Sequence, residues 1–205
     1  MVRRTAIRAV LAGIVFAASA ACSGSSADKA SPTATVATEP APTTTTDPYA
    51  VPATIDITYV NQVLAGLDRV MGDVTRLVVR TRTIPPEAYD RLKALYPDDE
   101  RLQRSIDSFQ RDLRQDLSGY RAEPGDKTST VTQLITATRA CIFTEVARDY
   151  SKVGTTPLPA LDVQWIGLKP LDTNRDPSGY NPAKWVFVYE GFPPDRSEPP
   201  NPCAT

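Results

Sequence analysis

The rhythm of the apolar residues changes once, at Gly125, and that change divides the folding part of the chain into a helical half and a strand half. Before it, Val60, Val63, Leu64, Leu67, Val70, Met71, Val74, Leu77 and Val78 fall at steps of three and four, which predicts a helix over about 57 to 82. Asn61, Asp68, Arg69, Asp73, Arg76 and Arg80 lie on its other face and are expected in solvent. Ile84-Pro85 ends that helix, and Pro85-Pro86-Glu87 suits the first turn of a second one through about Leu95. A third begins at Asp98-Asp99-Glu100 and repeats Leu102, Ile106, Phe109, Leu113, Leu117 and Tyr120.

After Gly125 the residues are β-branched and aromatic. Val131 to Tyr150 is strand-like but too long for one strand, so a bend or bulge is expected near Ala137 to Ala140. Leu161 to Leu168 and Lys184 to Phe192 are two further strands. In the last, Trp185, Phe187 and Tyr189 alternate onto one face and Val186 and Val188 onto the other. The expectation is an α+β domain over about 54 to 205: three helices packed on a curved antiparallel sheet of three to four strands. On that order of elements the chain resembles the cone-shaped nuclear-transport-factor-like superfamily, which implies a pocket between helices and sheet.

The first residues have a different purpose. Arg3, Arg4 and Arg8 precede an apolar run from Ala9 to Ala18 that is too short to span a bilayer, and small residues follow it. That is a secretory leader, residues 1–21, removed on export. Ser19-Ala20-Ala21-Cys22 resembles the lipobox of bacterial, actinobacterial-type lipoprotein precursors, with Ser19 standing where that family usually has leucine. The resemblance implies palmitate-type acylation of Cys22 and a lipid-anchored protein on the extracytoplasmic face of the cell membrane. Ala18-Ser19-Ala20 also fits ordinary leader cleavage, which would release a secreted protein. Residues 22–53 are rich in Thr, Ala, Pro and Ser and cannot bury enough surface to fold, so they read as a tether. Its reach is roughly 30 Å as a coil and about 95 Å as polyproline II.

Processing removes three arginines and no acidic residue, so the mature chain keeps 20 basic groups against 24 acidic ones. A net charge near −4 disfavours nucleic acid as a partner. Membrane contact is then left to the acyl chain on Cys22, and an envelope protein or a lipid is the expected partner. With Cys22 lipidated, Cys141 and Cys203 remain as an even pair for one disulfide, worth about 4 kcal/mol in the chain-entropy picture for a loop of this length. It would hold the proline-rich tail, Phe192 to Cys203, as a strap on the sheet.

The chain has no histidine, which removes Ser-His-Asp and Cys-His mechanisms and histidine-ligated zinc. No cofactor, metal or catalytic residue is expected. Asp172, Asn174 and Asp176 are spaced like the start of a calcium loop, but Pro177 and Ala183 occupy the positions that need glycine and glutamate, so a plain turn is the reading. Glu145, Asp149 and Glu190 could set carboxylates among Trp165, Trp185 and Tyr189 if the sheet curls, making these six the ligand-pocket candidates. Against this, alternating charge on a strand is ordinarily a solvated face, with Arg139 and Arg148 as surface partners. The leading expectation is therefore a non-catalytic binding or assembly module. A carrier of a small apolar or lipid ligand comes second, and a carboxylate-dependent enzyme third.

Overall fold

The computed structural model describes residues 47–155, 162–191 and 201–204, all within one compact unit, Thr44–Thr205. The leader, Cys22, most of the tether and residues 192–200 of the strap lie outside the described residues, as do Leu161 and Phe192 at the expected strand ends.

Three helices precede a four-stranded antiparallel sheet, and one disulfide, Cys141–Cys203, ties the C-terminal tail to the sheet. Helix α1, Ile57–Thr81, is capped by the Asp56 carboxylate, which accepts from the Tyr59 amide at 2.8 Å. Its apolar stripe forms the centre of the core, from Val60 to Val78. Helix α2, Pro86–Lys93, has proline in its first turn, where no amide donor is needed. Helix α3, Asp99–Arg114, is capped by Asp98, whose side chain accepts from the Arg101 amide. It stops before the expected end because Asp116 and Leu117 adopt left-handed backbone angles, and the Leu117 amide folds back onto the Asp112 carbonyl. Leu117 is nevertheless buried, so its helical spacing reflects a core contact made from a turn.

The strands β1, Thr128–Ala137, β2, Ile142–Asp149, β3, Asp162–Pro170, and β4, Trp185–Gly191, pair in chain order as a meander. The expected break in the long strand-like run is a hairpin turn in which Thr138 and Cys141 exchange backbone hydrogen bonds around Arg139-Ala140. Bulges fall elsewhere. Thr132 and Ile135 of β1 have no opposite residue on β2, and Val188 of β4 has none on β3. Ile142, Val146, Ile166, Leu168, Trp185 and Phe187 form the inner face, toward the helices.

Both edges of the sheet are covered. The Asn61 and Asp68 side chains of α1 accept from the Val131 and Ser129 amides of β1, each at 2.8 Å. This corrects the placement of those two residues in solvent: Asp68 is buried, because it satisfies an edge amide that the sheet itself leaves open. At the far edge the Phe187 amide of β4 donates to the Leu95 carbonyl at 2.9 Å. Asn181 pins the same corner by donating to the Ala94 and Trp185 carbonyls.

Residues 47–53, expected to close the tether, dock on the domain. Tyr49 packs against the core, and the Tyr59 hydroxyl donates to its carbonyl at 3.4 Å. The physical reason is an aromatic ring that reaches α1 where Gly66 presents no side chain. On the outer face of the sheet, Cys203 joins Cys141 with their Cα atoms 5.6 Å apart. Pro202 sits over Gly167, where an added Cβ would stand 2.5 Å from its ring. The described end of the strap thus lies across the sheet, with the Asn201 amide donating to Thr136 Oγ1.

Candidate functional site

The seam between the helices and the inner face holds four charged side chains that the apolar pattern conceals. Arg148 follows Ile142, Thr144 and Val146 at even spacing, so β2 carries it inward beside them. Only 4% of its side chain is exposed, which corrects the reading of Arg148 as a surface partner. On β4 the bulge at Val188 resets the alternation, so Phe187 and Glu190 both face the helices while Tyr189 turns to the outer face against Phe143. Trp185, Phe187 and Tyr189 therefore do not share a face.

Arg148 Nη2 donates to Glu190 Oε1 at 2.9 Å and Nη1 donates to Gln164 Oε1 at 2.8 Å. The Tyr96 hydroxyl donates to the other Glu190 oxygen at 3.4 Å. Burial by itself would push the Glu190 carboxyl up, but the charges of Arg148 and Lys127 and the hydrogen bonds from Arg148 and Tyr96 outweigh it and hold the group below the usual glutamate range. Burial, reinforced by the Glu190 charge, raises the Tyr96 hydroxyl far above its ordinary value. At neutral pH Glu190 is thus ionised and Tyr96 protonated.

The second pair is looser. Lys127, at the foot of β1, lies 3.6 Å from Asp68 Oδ1, with side chains 9% and 3% exposed. Asp68 Oδ2 accepts from the Ser129 amide, whereas Oδ1 has no hydrogen-bond partner. Phe187 lies between the two cations, with Lys127 Nζ 5.6 Å and the Arg148 guanidinium 5.8 Å from its ring centre. Two acids and two bases thus give an interior with no net charge.

A hollow of about 470 Å³ opens over Asp68, Lys127 and Ser129 between α1 and the start of β1, and two more adjoin this seam. One, of about 270 Å³, is lined by Met71, Gly72 and Thr75 of α1, by Gly119 and Tyr120, by Tyr150, Val153 and Gly154, and by Lys127. Its rim is tied by the Tyr120–Gly154 bridge and by the Thr155 amide donating to the Gly119 carbonyl. The other, about 380 Å³, is a polar cleft between α3 and β4 lined by Tyr96, Ser105, Ser108, Phe187, Tyr189 and Glu190 with Arg101, Arg104 and Arg111.

The six residues expected to form a pocket separate. Glu190 and Tyr189 border the α3–β4 cleft. Trp185 is in the core, its indole N–H donating to the Tyr59 hydroxyl at 2.9 Å. Glu145 pairs with Trp165 across β2 and β3 on the outer face and accepts from Thr132 on the surface, at 2.7 Å. Asp149, in phase with Glu145, accepts from the Ser151 amide, and that hydrogen bond keeps its carboxyl below the ordinary range. Glu145 and Asp149 do not converge with Glu190. Asp172 and Asp176 spend their oxygens on the amides of their own loop, at Asn174, Tyr180 and Asn181. Among the described residues, no three potential metal-ligating side chains gather in one place. Sequence reasoning did not find Asp68, Lys127 and Arg148 as a cluster; the signal that could have found Arg148 was its phase with Ile142 and Val146.

No family model, no curated protein and no solved structure matches this chain.

Proposed function

We propose that the chain is the precursor of a lipid-anchored, non-catalytic binding protein on the outer face of the cell membrane. Its leader is removed, Cys22 takes the acyl chain, the tether spaces the domain from the bilayer, and the domain holds a small ligand in the helix–sheet seam. One observation carries this reading: the 270 Å³ hollow is walled largely by apolar side chains and is bordered by Lys127, whose ammonium donates no hydrogen bond to any described residue. Binding sites combine an apolar lining with a few convergent polar groups in this way.

Native mass spectrometry of protein drawn from the membranes of its own host tests the binding. A retained small molecule is expected, and a bare chain contradicts the reading. For the anchor, Cys22→Ala should move the protein from the membrane fraction to the medium; unchanged membrane attachment would reject it.

A second reading, docking on an acidic envelope partner, is favoured by Arg101, Arg104 and Arg111 lining the α3–β4 cleft.

A further inference from the structure

Building on the reading of the domain as a ligand-binding module, we infer that the hollow takes an uncharged amphiphile: an apolar body ending in one hydrogen-bond-accepting oxygen, as in a ketone, ester or amide. The argument starts from what Lys127 lacks. An ammonium has three donors, and this one makes no hydrogen bond to a described residue, because Asp68 Oδ1 stands at 3.6 Å and Phe187 offers only its ring face. Lys127 borders the hollow and its ammonium is not sealed from solvent, so an acceptor arriving there takes the place of water on donors that the described residues leave free.

Charge then selects among acceptors. Lys127, Arg148, Asp68 and Glu190 already cancel in formal charge, so a carboxylate or phosphate would add an excess negative charge beside side chains that are mostly buried. A cationic head would meet Lys127 itself. A neutral oxygen uses the free donors and disturbs neither balance. The rest of the lining, Met71, Tyr120, Tyr150 and Val153, suits an apolar body. The Tyr120 hydroxyl is engaged as a donor to Asp112, whereas Tyr150 accepts from Gln164 and keeps its own O–H as a second donor for the same oxygen. The volume equals that of about nine waters at roughly 30 Å³ each, enough for a body of eight or so carbons.

Three probes of one size separate these heads: 2-octanone, octanoate and octylammonium, titrated calorimetrically into the mature chain with Cys22→Ser and without detergent. Expected is one 2-octanone per chain, with both charged probes at least tenfold weaker. Gly119→Leu should weaken binding without unfolding the protein, because Gly119 lines the hollow and a Cβ there meets no atom within 4 Å, which leaves room for the longer side chain at its edge. In the charge-neutral double variant Lys127→Met with Asp68→Asn, the Ser129 amide keeps its acceptor, and 2-octanone should bind at least tenfold more weakly. Octanoate binding as tightly as the ketone overturns the uncharged head while leaving the binding reading intact. Failure of all three probes, or undiminished binding by Gly119→Leu, overturns the hollow as the site; a molecule still retained from the host would then show that the broader reading survives without this one.

Discussion

Glu190 and Glu145 are carboxylates on strands of one sheet, yet their surroundings differ completely. Glu145 faces out and meets a threonine hydroxyl at the surface. Glu190 faces in, keeps about a quarter of its side chain exposed (26%), and is held by Arg148 and Tyr96. The difference comes from register. On β2 an unbroken alternation sends 143, 145, 147 and 149 outward and Arg148 inward, while on β4 one unpaired residue, Val188, lets Phe187 and Glu190 share the inner face. Charge on a strand therefore does not reveal its side of the sheet; the count of paired residues does.

Removing one residue from the regular strand should break this contrast most severely. Deletion of Ala147 would carry Arg148 to the outer face, and loss of any cooperative urea transition is expected. Deletion of Val188 is the matched control: it converts a bulge to regular pairing and leaves Glu190 inward, so the protein should fold with a loss of about 2 kcal/mol for one buried valine. Two equally unfolded proteins would refute the register account. Arg148→Met comes next. It leaves Glu190 and Gln164 without their cation and should cost about 3 kcal/mol in urea unfolding.

Glu190→Gln sharpens the comparison through pH. Because the native carboxyl titrates below its unfolded value, its contribution is fully present above the ordinary glutamate range and disappears as pH falls through the lowered native value. A loss of about 2 kcal/mol is expected at pH 7, with wild type and variant converging in acid. A gap that persists unchanged below the ordinary glutamate range would contradict the assignment. Glu145→Gln should do least, within about 0.5 kcal/mol at any pH, since it removes only a surface contact.

Much of the fold could be read before any coordinates. The α1 stripe, the Pro85-Pro86 start of α2, the break after Ala137 and the pairing of Cys141 with Cys203 all follow from local rules. What could not be read depends on partners far away in sequence. Asn61 and Asp68 look like solvent residues of α1 until the amides of Val131 and Ser129 are known to need acceptors. Tyr49 looks like tether until it meets Gly66. Val186 to Tyr189 alternates like a regular strand, and nothing local marks Val188 as unpaired. The site was hidden for the same reason, since Asp68, Lys127, Arg148 and Glu190 come from four elements and carry no common spacing.

A double-mutant cycle on Arg148→Met and Glu190→Gln, followed by urea unfolding at pH 7, is the most direct test of the inward pair. The account predicts a coupling energy of about 1.5–3 kcal/mol. Losses from the two single variants that simply add, within about 0.5 kcal/mol, would contradict it.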